Sequence, residues 1–298
     1  MKPDAYLKKI LEQQTFENDD QELEDLRKHR KDIDKLLRAH FSKSTTSIRW
    51  AGSMAKGTMI RESYDGDMTC YFPHDETEAG TTLAEIFENT EKGLLKSYNV
   101  ERKASALRVR DRESWTTDLH IDVVPGRFTT DEDTDVFLHR TTGDKERLKT
   151  NLQTHIDHIR QSGLQDAIRL LKLWKTQNGI DTAKTFVLEL LVVKLLEDKT
   201  SSTISEQIEH VLTEFRDSPN DLSVEDPANS NNDLKPILDQ CRSMLSTAAT
   251  NTLWQIENSG WESVFGELEE ESDDVKVAGL TSAAVHVGSR TKPWLPEK

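Results

Sequence analysis

The sequence predicts an α+β protein: a mixed sheet with its helices, then an all-helical second lobe, with a cleft between them. Two observations carry this. Strand-like alternation of apolar and polar residues is confined to the stretch between residues 47 and 124. From about residue 144 onward the apolar residues recur at helical spacing alone. Two lobes of different build leave a cleft where ligands tend to sit. The expected boundaries are 1–143 for the N-terminal helices and sheet, 144–266 for the helical lobe and 267–298 for an acidic tail, flexible or strapped along the surface.

Taken in order, residues 5–16 and 20–41 read as helices, the second with Leu23, Leu26, Ile33, Leu36 and Leu37 on one face. SIRWA is strand-like and leads into Gly52, and DMTCYF (67–72) alternates as a strand does. Residues 83–98 read as a helix. VERKASALRVRD (100–111) and TDLHIDVV (117–124) read as two strands joined by a polar turn at 112–116, the second ended by Pro125-Gly126. Five helical runs follow: KERLKTNLQTHIDHIRQ, LQDAIRLLKLWKTQN, TFVLELLVVKLLED, SEQIEHVLTEFRD and, after the loop VEDPANSNND, LKPILDQCRSMLSTAATNTLWQIE.

Composition narrows the function classes. The 298 residues carry 31% charged and 35% hydrophobic side chains, the latter in periodic runs, so the body is expected to fold. No apolar run is long enough to span a membrane, and the first residues have no apolar leader, so a cytoplasmic location is expected. Cys70 and Cys241 alone fall short of a zinc site and read as free thiols. A net charge of -15 repels polyanions and argues against broad nucleic-acid binding. The basic run 26–38 reads as the solvated face of a helix, with a local polyanion pocket as the alternative.

The chemistry concentrates in WAGSMAKGTMIRESYDGDMTCYF, residues 50–72. Gly52 lets backbone approach a ligand closely, and Ser53 adds a hydroxyl beside exposed N–H groups, a pattern suited to phosphate. It is not a Walker A loop, because the residue order is wrong. Asp65 and Asp67 lie one residue apart, so their carboxylates share a face and repel unless a cation sits between them. Hard oxygen ligands of this kind suit magnesium. Some fifty residues on, Asp118, His120 and Asp122 share a strand face. Asp122 is the candidate third carboxylate of a two-metal site, with Asp118 and His120 solvent-facing or behind it. From the helical lobe, Lys172 lies off the stripe of Ile168, Leu171 and Trp174, and Thr185 opens an apolar helix. A surface lysine and an N-cap threonine are the alternative readings of these two.

Gly52-Ser53, Lys56-Gly57-Thr58, Asp65-x-Asp67 and Asp122-Val-Val-Pro125, in that order, resemble the polymerase-β-type nucleotidyltransferase core. RLLKLWK, KTFVLELL and VEDPANSNND resemble the helical domain of oligoadenylate-synthase-like enzymes. Together, over residues 20–260, the chain is similar to the CD-NTases, the cGAS/DncV-like nucleotidyltransferases of bacterial CBASS anti-phage systems. The resemblance implies a polymerase-β-like mixed sheet. It also implies that Asp65, Asp67 and Asp122 hold two Mg2+ ions (Mn2+ being the other option), and that Gly52, Ser53, Lys172 and Thr185 hold the triphosphate. Two departures stand out: Gly66 replaces a commonly apolar residue and is expected to loosen the strand entry, and Thr185 stands where serine is frequent.

The implied activity is synthesis of a cyclic di- or trinucleotide messenger from NTPs, with release of pyrophosphate. The expected partners are the NTPs and an effector that receives the cyclic product without direct contact. A monomer is expected, with no membrane association and no nucleic-acid activator. The alternatives are a CCA-adding tRNA nucleotidyltransferase, which needs a basic RNA-binding face, and a catalytically silent nucleotide-binding scaffold.

Overall fold

The computed structural model describes residues 1–268 apart from 113–118, 133 and 144; Asp118, the expected turn at 112–116 beyond Arg112, and most of the acidic tail therefore lie outside the described residues. The chain runs through α1 (Pro3–Gln13), α2 (Gln21–His40), β1 (Ser47–Trp50), the short α3 (Gly52–Lys56), β2 (Gly66–Phe72) and α4 (Leu83–Leu94). Next come β3 (Tyr98–Arg102), β4 (Leu107–Asp111), β5 (Ile121–Phe128), β6 (Val136–His139) and β7 (Arg147–Thr150). Helices α5 (Leu152–Ser162), α6 (Gln165–Gln177), α7 (Thr185–Leu195), α8 (Ile204–Asp217), α9 (Lys235–Ser259) and α10 (Glu262–Phe265) follow.

The sheet order is β1-β2-β5-β4-β3, and β5 also pairs with β6, which carries β7. β2 and β5 are parallel; the other pairs are antiparallel. Pro125 does not end β5. It falls between Val123, the last residue paired with β4, and Gly126, the first paired with β6, so its missing N–H costs no ladder bond on that side.

Three further expectations change. Residues 100–111 are not one strand but the hairpin of β3 and β4, closed by Lys103 N–H donating to Ala106 O at 2.8 Å. The helix expected over 83–98 ends at Leu94, and Tyr98 opens β3. The helix expected over 145–161 begins only at Leu152, capped by the Asn151 side chain accepting from Thr154 N–H at 3.0 Å; Arg147–Thr150 is β7, so the purely helical part starts later than residue 144.

One face of the sheet packs on α2 and α4 through Leu26, Ile33, Leu37, Ile86, Phe87 and Leu94, all buried against Met68, Cys70, Ile121 and Val123. In the helical part, Trp174 is fully enclosed and donates its indole N–H to Thr252 Oγ1 at 2.8 Å. The α7 sequence is apolar nearly all round, as a central helix must be. α1 packs on α6 and α8, with Asp4 Oδ1 accepting from both Ser205 N–H and Ser205 Oγ at 3.0 Å. Met1–Gly266 thus forms one compact unit. Cys70 and Cys241 are free and buried. Within the run 26–38, Arg27 bonds Asn18, Arg30 lies 5.3 Å over the Trp50 ring, and Arg38 pairs with Asp34, so these arginines serve local structure. Among the described residues no helix is long and apolar enough to cross a membrane.

Candidate active site

Strand register sets the acidic residues. Asp65 precedes β2 and Asp67 is its second residue; between them Gly66 turns into the core. A Cβ on Gly66 would lie 2.8 Å from Ile121 Cγ1 and 3.0 Å from Leu26 Cδ1. The glycine therefore permits tight packing beneath the two aspartates, and the expected loosening of the strand entry is not seen. In the parallel ladder Asp67 stands opposite Asp122, and in the antiparallel ladder Asp122 stands opposite Arg108.

β1 delivers the second part. After Trp50 the chain turns into α3, with Ala51 N–H donating to Asp67 O at 2.8 Å. Gly52 has φ +56°, and a Cβ there would fall 1.7 Å from Asp67 Oδ2. Both the left-handed backbone and the space reserved for the carboxylate require glycine. Ser53, the next residue, is buried.

The helical part closes the site. Lys172, on α6, is buried and donates to Thr58 O at 2.6 Å. It is neither on the surface nor an idle neighbour. Glu189, on α7, is fully buried; it accepts from Lys56 Nζ at 2.6 Å and from Thr58 Oγ1 at 2.8 Å. These bonds tie the Lys56-Gly57-Thr58 turn to both helices. The result is a cavity of about 200 Å³ lined by Gly52, Ser53, Asp65, Asp67, Lys172 and Thr185, together with Lys56, Ser63, Phe186 and Glu189. Asp122 does not line it: both its oxygens are taken by Arg108, Nε to Oδ1 and Nη2 to Oδ2, each at 2.9 Å.

The electrostatics are uneven. The neighbouring His120 ring holds the Asp65 carboxyl below its usual range. Burial, reinforced by the charges of Asp65 and Asp122, pushes Asp67 up to about 7 against the opposing pull of Lys56 and Lys172. Burial lowers Lys172. Lys56 and Lys172 thus only partly offset the burial and acidic neighbours of Asp67. Among the described residues no three or more His, Cys, Asp or Glu side chains converge as a metal site by themselves. Two carboxylates facing a polar cavity, with the remaining positions left to phosphate oxygens and water, fit magnesium and not a fully protein-caged ion.

Several contributors escaped the sequence reading. Glu189 was signalled only as the lone acid in TFVLELLVVKL, and Arg108 as a cation alternating with apolar residues in LRVRD. Lys56 belongs to the Lys56-Gly57-Thr58 motif, where nothing local in the sequence signals a role for it. His120, of which a solvent-facing position was one expectation, is buried with Nε2 3.8 Å from Asp65 Oδ2. Phe186 puts an aromatic ring 5.3 Å from Lys56 Nζ in an otherwise charged cavity.

A family model described as the Second Messenger Oligonucleotide or Dinucleotide Synthetase domain matches residues 1–162. The chain belongs to that family. Among solved structures, it is similar to the CdnC:HORMA-deltaN complex of E. coli MS115-1 (TM-score 0.64, 20% identity, covering 90% of this chain and 98% of that one). It is likewise similar to the CdnE cyclic dinucleotide synthase of Elizabethkingia meningoseptica with GTP and Apcpp (TM-score 0.62, 16% identity, 87% and 99%). A third is the Vibrio cholerae DncV cyclic AMP-GMP synthase with the linear intermediate 5' pppA(3',5')pG (TM-score 0.59, 19% identity, 78% and 72%). These share the CD-NTase fold. No curated protein matches the chain by sequence.

Proposed function

We propose that this chain converts NTPs into a cyclic di- or trinucleotide messenger in a divalent-metal-dependent reaction at the cavity between β2 and α7. The observation that carries the reading is the convergence of Gly52, Ser53, Asp65, Asp67, Lys172 and Thr185, drawn from four separated segments, on one cavity. Its volume, below the roughly 300–1,000 Å³ of small-molecule sites, suits the triphosphate end of a nucleotide and not the whole of one. NTP substrates are supported by the ATP held by E. coli CdnC and the GTP held by Elizabethkingia CdnE.

In the reaction a ribose hydroxyl oxygen bonds to an α-phosphorus while the bond to pyrophosphate breaks, and the hydroxyl proton is lost. Asp65 and Asp67 hold the metal ions, and Asp122 completes the acidic set. When bound by these carboxylates, magnesium would neutralise charge at the phosphates and would lower the pKa of the attacking hydroxyl. Lys172 and Thr185 grip the triphosphate from the helical side, and Ser53 Oγ donates from the opposite wall. Gly52 keeps the approach to Asp67 open. Phe186 offers the cavity's aromatic face. The chain's part is positioning and charge. A role in anti-phage signalling rests on the resemblance to CBASS enzymes, and the family match favours synthesis over the tRNA and silent-scaffold readings.

The test is incubation with all four labelled NTPs and Mg2+, phosphatase treatment and mass spectrometry. Phosphatase-resistant cyclic products that vanish in Asp65→Ala/Asp67→Ala are expected; incorporation only onto tRNA ends, or binding without turnover, defeats the reading. Anti-phage action predicts that phage plating falls on bacteria carrying the chain with its effector, and recovers with the same double variant.

A further inference from the structure

Asp122 faces two partners. Glu101, Arg108, Asp122 and Asp67 occupy one row across β3, β4, β5 and β2, each directly opposite the next. Directly opposed residues share a sheet face, and adjacent strands are only about 4.8 Å apart. Asp122 thus has a cation on one side and an acid short of counter-charge on the other. It has turned to the cation, which takes both its oxygens in a two-armed fork. The side chains are sheltered, Asp122 15% and Arg108 23% exposed, so the pair is held more firmly than a surface salt bridge. The consequence is visible in the cavity, which Asp65 and Asp67 line and Asp122 does not.

We propose that Arg108 is a positioning residue that holds Asp122 against β4, so that Asp122 joins Asp65 and Asp67 around a divalent cation only when the Arg108 fork lets go. This rests on the reading of Asp65, Asp67 and Asp122 as the acidic set. Completion of that set is then a competition between the guanidinium and the cation for the same carboxylate. Glu101 stands across from Arg108 on its other side but already pairs with Lys103 and Arg110, so a released guanidinium would have to share that carboxylate. A lysine at 108 keeps the charge but loses the planar fork that engages both oxygens.

The experiment titrates Mn2+ into the nucleotide-free full chain and reads free Mn2+ by electron paramagnetic resonance. The variants are Arg108→Lys, Arg108→Gln, Arg108→Lys/Asp122→Asn and Asp65→Asn/Asp67→Asn. Groups that orient metal ligands typically change metal affinity about 10–100-fold. Arg108→Lys and Arg108→Gln are each expected to bind Mn2+ about tenfold more tightly, or to take up an added ion, with the gain lost when Asp122→Asn is combined with Arg108→Lys. Should Arg108→Gln fail to fold, the charge-preserving Arg108→Lys decides alone. A wild-type isotherm for Arg108→Lys, or a gain that survives Asp122→Asn, overturns the assignment while binding lost in Asp65→Asn/Asp67→Asn leaves the acidic-pair reading standing. If the wild type and Asp65→Asn/Asp67→Asn bind alike, that reading fails and the Arg108 assignment falls with it.

Discussion

Gly52 and Asp67 share one volume: the space where a Gly52 side chain would begin is taken by Asp67 Oδ2, 1.7 Å from the Cβ position. Gly52→Ala must displace the carboxylate or the turn. The strained backbone alone costs about 1–3 kcal/mol. Product formation is expected to fall more steeply than stability, by about 100-fold or more in kcat/KM, since a misplacement of about 1 Å at a reacting centre costs that much. Initial rates and thermal melts on the same preparation separate the two effects.

Asp67 makes stability depend on pH and metal. Its folded pKa is pushed up from 3.8 to about 7, so the protonated carboxyl is the form the apo fold prefers. Its contribution is greatest in acid and declines as pH rises from about 4 to 7. In EDTA, Asp67→Asn is expected to melt above the wild type at pH 8, with the gap closing toward pH 5. Added Mg2+ should raise the wild-type Tm more at pH 8 than at pH 5.5, and leave Asp67→Asn nearly unmoved. Scanning calorimetry with and without chelator checks both signs.

Glu189 is the counter-ion of a buried lysine. Removing one partner of such a pair strands the other, at about 3–5 kcal/mol. Glu189→Ala is therefore expected to destabilise by that order, while Lys56→Met/Glu189→Leu regains most of the loss because neither charge remains. Urea denaturation with linear extrapolation measures it.

Gly66 answers to packing. Overfilling a core costs about 1–3 kcal/mol, and a methyl at Gly66 meets Ile121 and Leu26 at 2.8 and 3.0 Å. Gly66→Ala should lose stability in that range, and trimming the contact with Ile121→Ala should make the two substitutions less than additive. A double-mutant cycle of unfolding free energies decides.

Local pattern determined much of this protein. The 3.6-residue spacing of Leu23, Leu26, Ile33 and Leu37 made α2 legible, as the apolar run of TFVLELLVVKL made α7. The Asp65–Asp67 spacing placed both carboxylates on one face, and both line the cavity with Gly52, Ser53, Lys172 and Thr185. Where the local signal is weak, pairing in space decides the element instead. KASA has no Gly, Pro, Asn or Asp to mark a hairpin, and RLKT, polar and rich in helix formers, becomes a strand because β6 is there to pair with it.

Tertiary structure decided the rest, because partner choice depends on distance in space. Lys56 and Glu189 lie 133 residues apart and meet only because α7 closes over the turn after α3. Asp122 was legible as an acid on the right face, but sheet order put Arg108 on its other side. Asp65, Asp67, Asp122 and Lys172 were legible as charges of the site; the register of β4, β5 and β2 decided that Asp122 is the one already spoken for.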